Sequence, residues 1–491
     1  MASASHTAAQ TGADERQLAG LVYRQQLSRS IGLFSNFAVG FTYLSPVVGV
    51  YSLFAFGLAT GGPAFIWSIP IVVFGQFMVV FTFSEIASQF PLAGGIYQWS
   101  KRLVGPRYAF ISGWMYTAAL LVTVAAVAYA ANTFAAPLFG WEYNDTTTIL
   151  MAVAVIVAGG ILNMLGIRRL ALLARAGLVV EILGTLGLGA YLLLFDRNQS
   201  FGVIFDTMGA GGGEGYLGAF LAAALFSVWI FYGFEACGDI AEEVHNPSQK
   251  VPRAMQLTLA VGAATSAFLA IALILAVPDL GAVMSGADAS PIDSILLANF
   301  GDTGSTIALA LILFAFVSCT IAIQGAAIRL VYSFARDGMV VGSRALSSVH
   351  PRWHMPPGAV LVAVLVPALI TLLPSATVAI IIAFAVVGIY VGFQSVVLAS
   401  IIARSRGWRP SGSFTLGRWG MLVNVVGLVY GVSAIVILSF KSGEGADLFF
   451  DRWLVPISTG VVFLLGLAYL LIVRPSESIR PDARADSSDM G

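Results

Sequence analysis

Glu181, Glu235 and Asp239 each fall inside a run of apolar residues, and no Lys or Arg lies at comparable depth in those runs. An ionisable side chain at membrane depth costs at least about 2.5–3.5 kcal/mol, so such residues are functional candidates by default. Glu181 stands about 15 Å beyond Ala171, the start of its run, at about 1.5 Å per helical residue. That is near the middle of a hydrocarbon layer about 30 Å thick. Two chemistries are open to these carboxyls. They stay protonated and hydrogen-bonded as structural groups, or they exchange a proton or hold a cation as part of a transport cycle.

Two of the apolar runs also carry residues that interrupt a helix. The first holds Ser45-Pro46-Val47-Val48-Gly49 at its middle, and the sixth holds Gly233 and Gly238 around Phe234-Glu235-Ala236-Cys237. A harmless kink accounts for either site alone, since Pro and Gly are tolerated in membrane helices. The two sites are five runs apart, however, and an odd offset places equivalent helices in opposite orientations. That is the pattern of inverted repeats with broken helices at a solute site.

The elements that must position these residues are membrane helices. Hydrophobic residues make up 58% of the 491 positions and charged residues 10%, against roughly 25% charged in a soluble domain. Reading runs of about 20 apolar residues gives spans near 31–57, 64–88, 108–138, 147–167, 171–195, 217–243, 255–277, 304–330, 357–374, 376–403, 419–440 and 453–473. Residues 28–474 are expected to form one membrane domain, with 1–27 and 475–491 read as mobile tails. The longest linker, 278–303, carries Asp279, Asp288, Asp293 and Asp302 and has room for short surface helices. With the N-terminus inside, every Lys and Arg except Arg197, Lys441 and Arg452 falls on a cytoplasmic segment or beside one, among them Arg16, Arg24, Arg480 and Arg484. Lys/Arg asymmetry sets orientation, and moving one span would scramble it. The expectation is twelve spans in an inner (plasma) membrane, with both termini cytoplasmic.

Three motifs carry a family resemblance. The first runs from Ser84-Glu85-Ile86-Ala87 through Pro91-Leu92-Ala93-Gly94-Gly95 to Trp99. The second is Gly233-Phe234-Glu235 with Ala241-Glu242-Glu243-Val244-His245-Asn246-Pro247 and Val251-Pro252-Arg253-Ala254. The third is Arg329-Leu330-Val331-Tyr332-Ser333-Phe334-Ala335-Arg336-Asp337-Gly338. Over about residues 30–475 the chain resembles transporters of the amino acid–polyamine–organocation (APC) superfamily. Gly61-Gly62-Pro63 is similar to its amino acid/choline (GABA permease-like) branch.

The resemblance implies an all-α integral membrane protein with a five-plus-five inverted-repeat (LeuT-like) fold. Repeat one would cover about 31–195, repeat two about 217–403, and two peripheral helices about 419–473. It also implies that the broken first helix offers backbone N–H groups to a substrate carboxylate, while carbonyls of both broken helices receive the amine. Half-helix dipoles support this physically. The implied contacts are Ser45, Val47, Val48 and Gly49 on the first span and Trp229, Phe231, Tyr232 and Gly233 on the sixth. Trp229 and Phe231 stand where relatives have aromatic walls, with plain helix packing as the alternative. Relatives can hold a lysine at the position of Glu181, in place of a sodium ion. This chain departs from that pattern: a carboxylate binds a proton or a cation instead. Ser318 and Thr320 are hydroxyls of the kind that complete a sodium site, or else they join helices through hydrogen bonds.

Other features read more simply. Glu85 is a boundary or gate-lock residue, and Glu242 and Glu243 pair with Arg253 or with neighbouring loop arginines. His245, His350 and His354 lack metal-ligand spacing. The glycine-rich stretch 209–215 lacks the lysine of a phosphate loop. The zero net charge gives no basic surplus for nucleic acid, and no cofactor is expected. A channel would need a ring of pore charges, and a membrane enzyme would need clustered His, Asp or Cys; a sensor on a transporter fold stays open. The expectation is a secondary permease, not an enzyme, for an amino acid, γ-aminobutyrate, choline or a polyamine. Proton symport is the first choice of coupling, and sodium symport or exchange is the alternative.

Overall fold

The protein is represented by a computed structural model that describes Leu18, Leu21, Tyr23 and residues 25–212, 215–288, 290–372, 378–441 and 449–475. Most of the expected tails, with Arg16, Arg24, Arg480 and Arg484, lie outside the described residues. All named elements are helical, and a parallel bridge between Ile31 and Val244 is the one strand-like pairing described.

Among the described residues, ten helical stretches are long and apolar enough to cross a membrane. Two shorter apolar helices, Tyr216–Ile230 and Pro357–Ile370, stand where the sixth and ninth runs were expected. Several prolines begin helices, while Pro137, Pro252, Pro367 and Pro456 lie inside them. Pro46, Pro106, Pro247, Pro291 and Pro357 each open one, where the missing N–H has no intrahelical partner to lose.

The first run is therefore two helices, α1 (Leu33–Leu44) and α2 (Pro46–Gly61), meeting at Ser45. There follow α3 (Ser68–Gln89), a short polar helix α4 (Gly95–Leu103), α5 (Pro106–Ala130) and α6 (Asp145–Met164). Next come α7 (Ile167–Ile182) and α8 (Leu188–Phe195), joined through a π turn at Leu183–Gly187. The sixth run gives α9 (Tyr216–Ala223) and α10 (Leu225–Ile230). It then unwinds and resumes only as single turns at Ala236–Asp239 and Ala241–Glu243. The chain continues through α11 (Pro247–Ala276) to α12 (Pro291–Arg336), which is broken at Gly301 with φ 60°. The remaining helices are α13 (Pro357–Ile370), α14 (Val378–Ser405), α15 (Gly420–Lys441) and α16 (Phe449–Val473). The linker 278–303 holds Leu280–Met284 and the start of α12, as its polarity suggested.

Burial is greatest in the first broken pair and least in the last helix. The apolar stretch of α1 and α2 is 89% buried and that of α16 only 11%, so the broken pair is the centre and α16 lies at the periphery. α1 is walled by α7, α11 and α12, and α5 packs along α14 and α12.

Candidate functional site

The break at Ser45 is built from its own residues and one distant carboxyl. Ser45 takes φ 43°, a left-handed conformation that costs a non-glycine residue about 1–2 kcal/mol. It ends α1 through its N–H to the Phe41 carbonyl, 2.8 Å, and caps α2 by accepting from the Val48 N–H at 3.2 Å. Its hydroxyl donates to Glu181 Oε1, and the Val47 N–H donates to Glu181 Oε2 at 3.0 Å. The Gly49 N–H reaches the Ser45 carbonyl at 2.8 Å. Glu181 is fully buried on α7, and the positive end of α2 faces it.

The second break is held by Glu235. Gly233, at φ 107°, donates its N–H to Glu235 Oε2 at 2.7 Å, and the Tyr116 hydroxyl of α5 donates to Oε1 at 3.0 Å. This local capture removes the Gly233 N–H from any helical ladder, so the expected single span 217–243 stops as a helix at Ile230. Asp239, one turn further on, is fully buried, and neither carboxyl oxygen has a hydrogen bond.

The two breaks meet through their glycines. A side chain on Gly49 would stand 2.8 Å from Ile230 Cγ1, and one on Gly233 would stand 2.7 Å from the Leu44 backbone nitrogen. Each broken helix thus comes closest to the other at a residue without a side chain.

Beside this crossing lies a cavity with room for little more than a water molecule. Of the expected contacts, Val48, Gly49, Trp229 and Tyr232 line it. Ser45 and Val47 turn to Glu181, Gly233 turns to Glu235, and Phe231 is buried away from the cavity lining. Tyr43, Thr123 and Cys319 line it without having been expected. The signal for Thr123 was a polar residue in the apolar run of α5, and for Tyr43 its place two residues before the break. Tyr232 stands edge-on to both Tyr43 and Trp229, with ring centroids 6.1 and 5.7 Å apart. The Ser318 and Thr320 hydroxyls donate back to α12 carbonyls, Ala315 at 3.1 Å and Phe316 at 2.8 Å.

One end of the bundle is closed by ion pairs. Glu243 receives Arg329 Nε at 2.7 Å with both groups buried, and Glu242 receives Arg336 Nη1 at 3.0 Å. These partners come from the end of α12, and Arg253, the first expected partner, takes neither carboxyl. Glu85 takes Arg404 and the Leu416 N–H, which fits a boundary lock. Asp337 gathers Lys101 Nζ at 2.6 Å, the Tyr97 hydroxyl at 2.8 Å and the Tyr23 hydroxyl at 2.9 Å. Burial alone would push the Asp337 carboxyl up, but Lys101 and Arg336 outweigh it and hold the group below the usual carboxylate range. Among the described residues no group of His, Cys, Asp and Glu could hold a metal ion.

An all-helical bundle apolar enough for a bilayer, with two interrupted helices crossing at its buried centre, has the layout of a solute permease. A sequence profile described as amino acid permease matches residues 31–465, and the chain belongs to that family, within the APC superfamily. It is a multi-pass membrane transporter and not an enzyme. It is similar to the amino-acid permease BAT1 of Arabidopsis thaliana, 25% identical over 459 residues that cover 86% of this chain and 87% of the relative. The choline transporter of Saccharomyces cerevisiae is 27% identical over 437 residues, 84% of this chain and 76% of the relative. The thiamine transporter thi9 of Schizosaccharomyces pombe is 27% identical over 483 residues, 86% and 80%.

Proposed function

We propose that the protein is a secondary permease that imports a small amine-bearing solute by alternating access, driven by protons. It would cross an inner (plasma) membrane twelve times in a five-plus-five inverted repeat, with α15 and α16 peripheral and both termini cytoplasmic. The observation that carries the reading is the crossing of two broken helices, each with a buried carboxyl bonded to the break itself. Such a crossing offers dipole ends and open carbonyls to a solute, and the carboxyls link solute occupancy to a cation. Choline and thiamine, in the names of two relatives, both carry a positively charged nitrogen. The solute would contact the cavity lined by Val48, Gly49, Trp229 and Tyr232.

Glu181 is the first candidate for the coupling proton, followed by Glu235 and Asp239. Glu181→Gln keeps size and hydrogen-bonding capacity but cannot titrate. In proteoliposomes this variant should lose accumulation driven by a pH gradient while solute exchange, which needs no net proton movement, persists. Accumulation by the Gln variant under a pH gradient alone would remove Glu181 from the coupling role. A wild type that needs sodium and ignores pH would replace the proton by sodium, with Ser318 and Thr320 as the next residues to test.

A further inference from the structure

The start of α2 is where a permease of this design would grip a solute carboxylate, because a helix N-terminus presents unpaired N–H groups and positive potential. In this chain those donors are already in use. Pro46 has no N–H; Val47 gives its N–H to Glu181 Oε2 at 3.0 Å; Val48 gives its N–H to the Ser45 hydroxyl at 3.2 Å; Gly49 gives its N–H to the Ser45 carbonyl at 2.8 Å. The Ser45 hydroxyl proton also goes to Glu181. A second carboxylate arriving here would find no free donor.

The adjoining cavity has the opposite character. No Lys or Arg lines it. Tyr43, Trp229 and Tyr232 present aromatic rings to it, and the Tyr43 and Tyr232 hydroxyls, both more than nine-tenths buried, lie beside Glu235 and Thr123 respectively without a hydrogen bond of normal length. Ring faces attract cations, and an unsatisfied buried hydroxyl calls for a polar partner. With Glu235 and Thr123 beside them to take their protons, the two hydroxyls face the cavity as acceptors, to which an ammonium or other amine N–H bonds while lying against a ring; a carboxylate gains nothing from these oxygens or from the negative ring faces.

We infer that Glu181 fills, from within the chain, the place at the α2 N-terminus that a solute carboxylate would occupy, and that the transported solute is an amine carrying no carboxylate beside its nitrogen. This rests on the permease reading above and narrows its substrate to amines such as diamines, aromatic amines and quaternary ammonium alcohols, as opposed to α-amino acids. The side chain acts here by occupying the donors, a role separate from any titration, so the Gln variant, whose amide oxygen still accepts from Val47, keeps the selectivity.

The test uses the purified full-length protein and matched pairs that differ by one carboxylate: agmatine with arginine, cadaverine with lysine, tyramine with tyrosine, choline with glycine betaine. Thermal-shift titration of the wild type should show the carboxylate-free member of at least one pair binding at least about tenfold more tightly than its partner, a ranking that needs no variant. Glu181→Gln should keep that order. Glu181→Gly exposes the Val47 N–H and should gain affinity for the carboxylated member of the same pair about tenfold, and added formate should compete with that gain in the Gly variant but not in the wild type. A wild type that binds arginine, lysine, tyrosine or betaine as well as the matching amine, or a folded Gly variant with unaltered preference, overturns the inference and leaves the permease reading standing. A wild type that binds no member of any pair and accumulates none in proteoliposomes overturns the amine reading, and this inference with it.

Discussion

Replacing Gly233 by alanine tests whether the two broken helices are held together at the contact the structure shows. Two costs add at this position. With φ at 107°, any side chain is strained, by about 1–2 kcal/mol if the left-handed penalty is taken as a guide. The added Cβ would also lie 2.7 Å from the Leu44 nitrogen and 2.9 Å from its Cα. These are backbone atoms at the end of α1 that cannot swing aside, and overpacking of this kind costs about 1–3 kcal/mol. Together they give about 2–5 kcal/mol, relieved only if α1 separates from the sixth-span break and opens the cavity wall. Gly49→Ala should be milder, because its backbone is helical and its first obstacle, Ile230 Cγ1 at 2.8 Å, is a side-chain atom. Gly460→Ala on α16, with nothing within 4 Å, is the control. Melting temperatures in detergent and solute uptake by proteoliposomes should both fall in the order Gly460→Ala, Gly49→Ala, Gly233→Ala, and Ile230→Ala should partly restore the Gly49 variant. If Gly233→Ala melts and transports like wild type, the two breaks do not touch as described and the centre has been misplaced.

Trp229→Ala should weaken solute binding more than Trp229→Phe, by up to the about 0.5–2 kcal/mol that a ring face gives a cation, and equal affinities for wild type and both variants would reduce Trp229 to packing. Removing one partner of the buried Glu243–Arg329 pair should cost about 3–5 kcal/mol. Glu243→Gln with Arg329→Met should melt above either single variant, and additive losses would argue against a direct pair. Asp337 has a folded pKa below its ordinary value of 3.8, so it stabilises fully above about pH 4, and that contribution disappears as pH falls below 3.8 through the depressed value. The melting difference between wild type and Asp337→Asn should therefore hold steady from pH 7 to about pH 4 and shrink below it; a difference that grows on acidification would contradict the assigned contacts with Lys101 and Arg336.

Hydropathy located the membrane helices well, because crossing hydrocarbon demands a long apolar run whatever its neighbours are. The break at Ser45 was legible for a local reason: Pro46 with Gly49 close behind favours a fresh helix start there. The extent of unwinding after Ile230 was not, since it depends on Glu235 turning back onto Gly233. α4 gave no hydropathy signal because its 9 residues are too few and too polar for an apolar run, although most of them are buried. Sequence singled out Glu181 by its depth but gave no partner, because Ser45 and Val47 are brought to it only by α1 and α2 packing against α7. The arginines that take Glu242 and Glu243 lie on α12, far along the chain, and only the packing of α12 against the sixth-span break brings them there, which Arg253 and the neighbouring loop residues give no sign of.

The π turn at Leu183–Gly187 amounts to one residue more than an α-helix needs. Everything after it is set back by about 1.5 Å and about 100° relative to the same residues in an uninterrupted helix. α7 therefore keeps two registers in one rod: before the turn Glu181 aims at Ser45, and after it Gly189 lies against Phe268, where a Cβ would come within 2.6 Å of the ring. Deleting a single residue between 183 and 187 would make the rod a plain α-helix and leave Gly189 against Phe268, whereas adding one would carry Leu188 into the place of Gly189. The Leu188 side chain would then strike Phe268, and α8 would have to leave α11 or drag the Glu181 half of the helix round with it. A one-residue insertion at this point thus rewires a seam some distance away, although it alters neither of the surfaces that meet there.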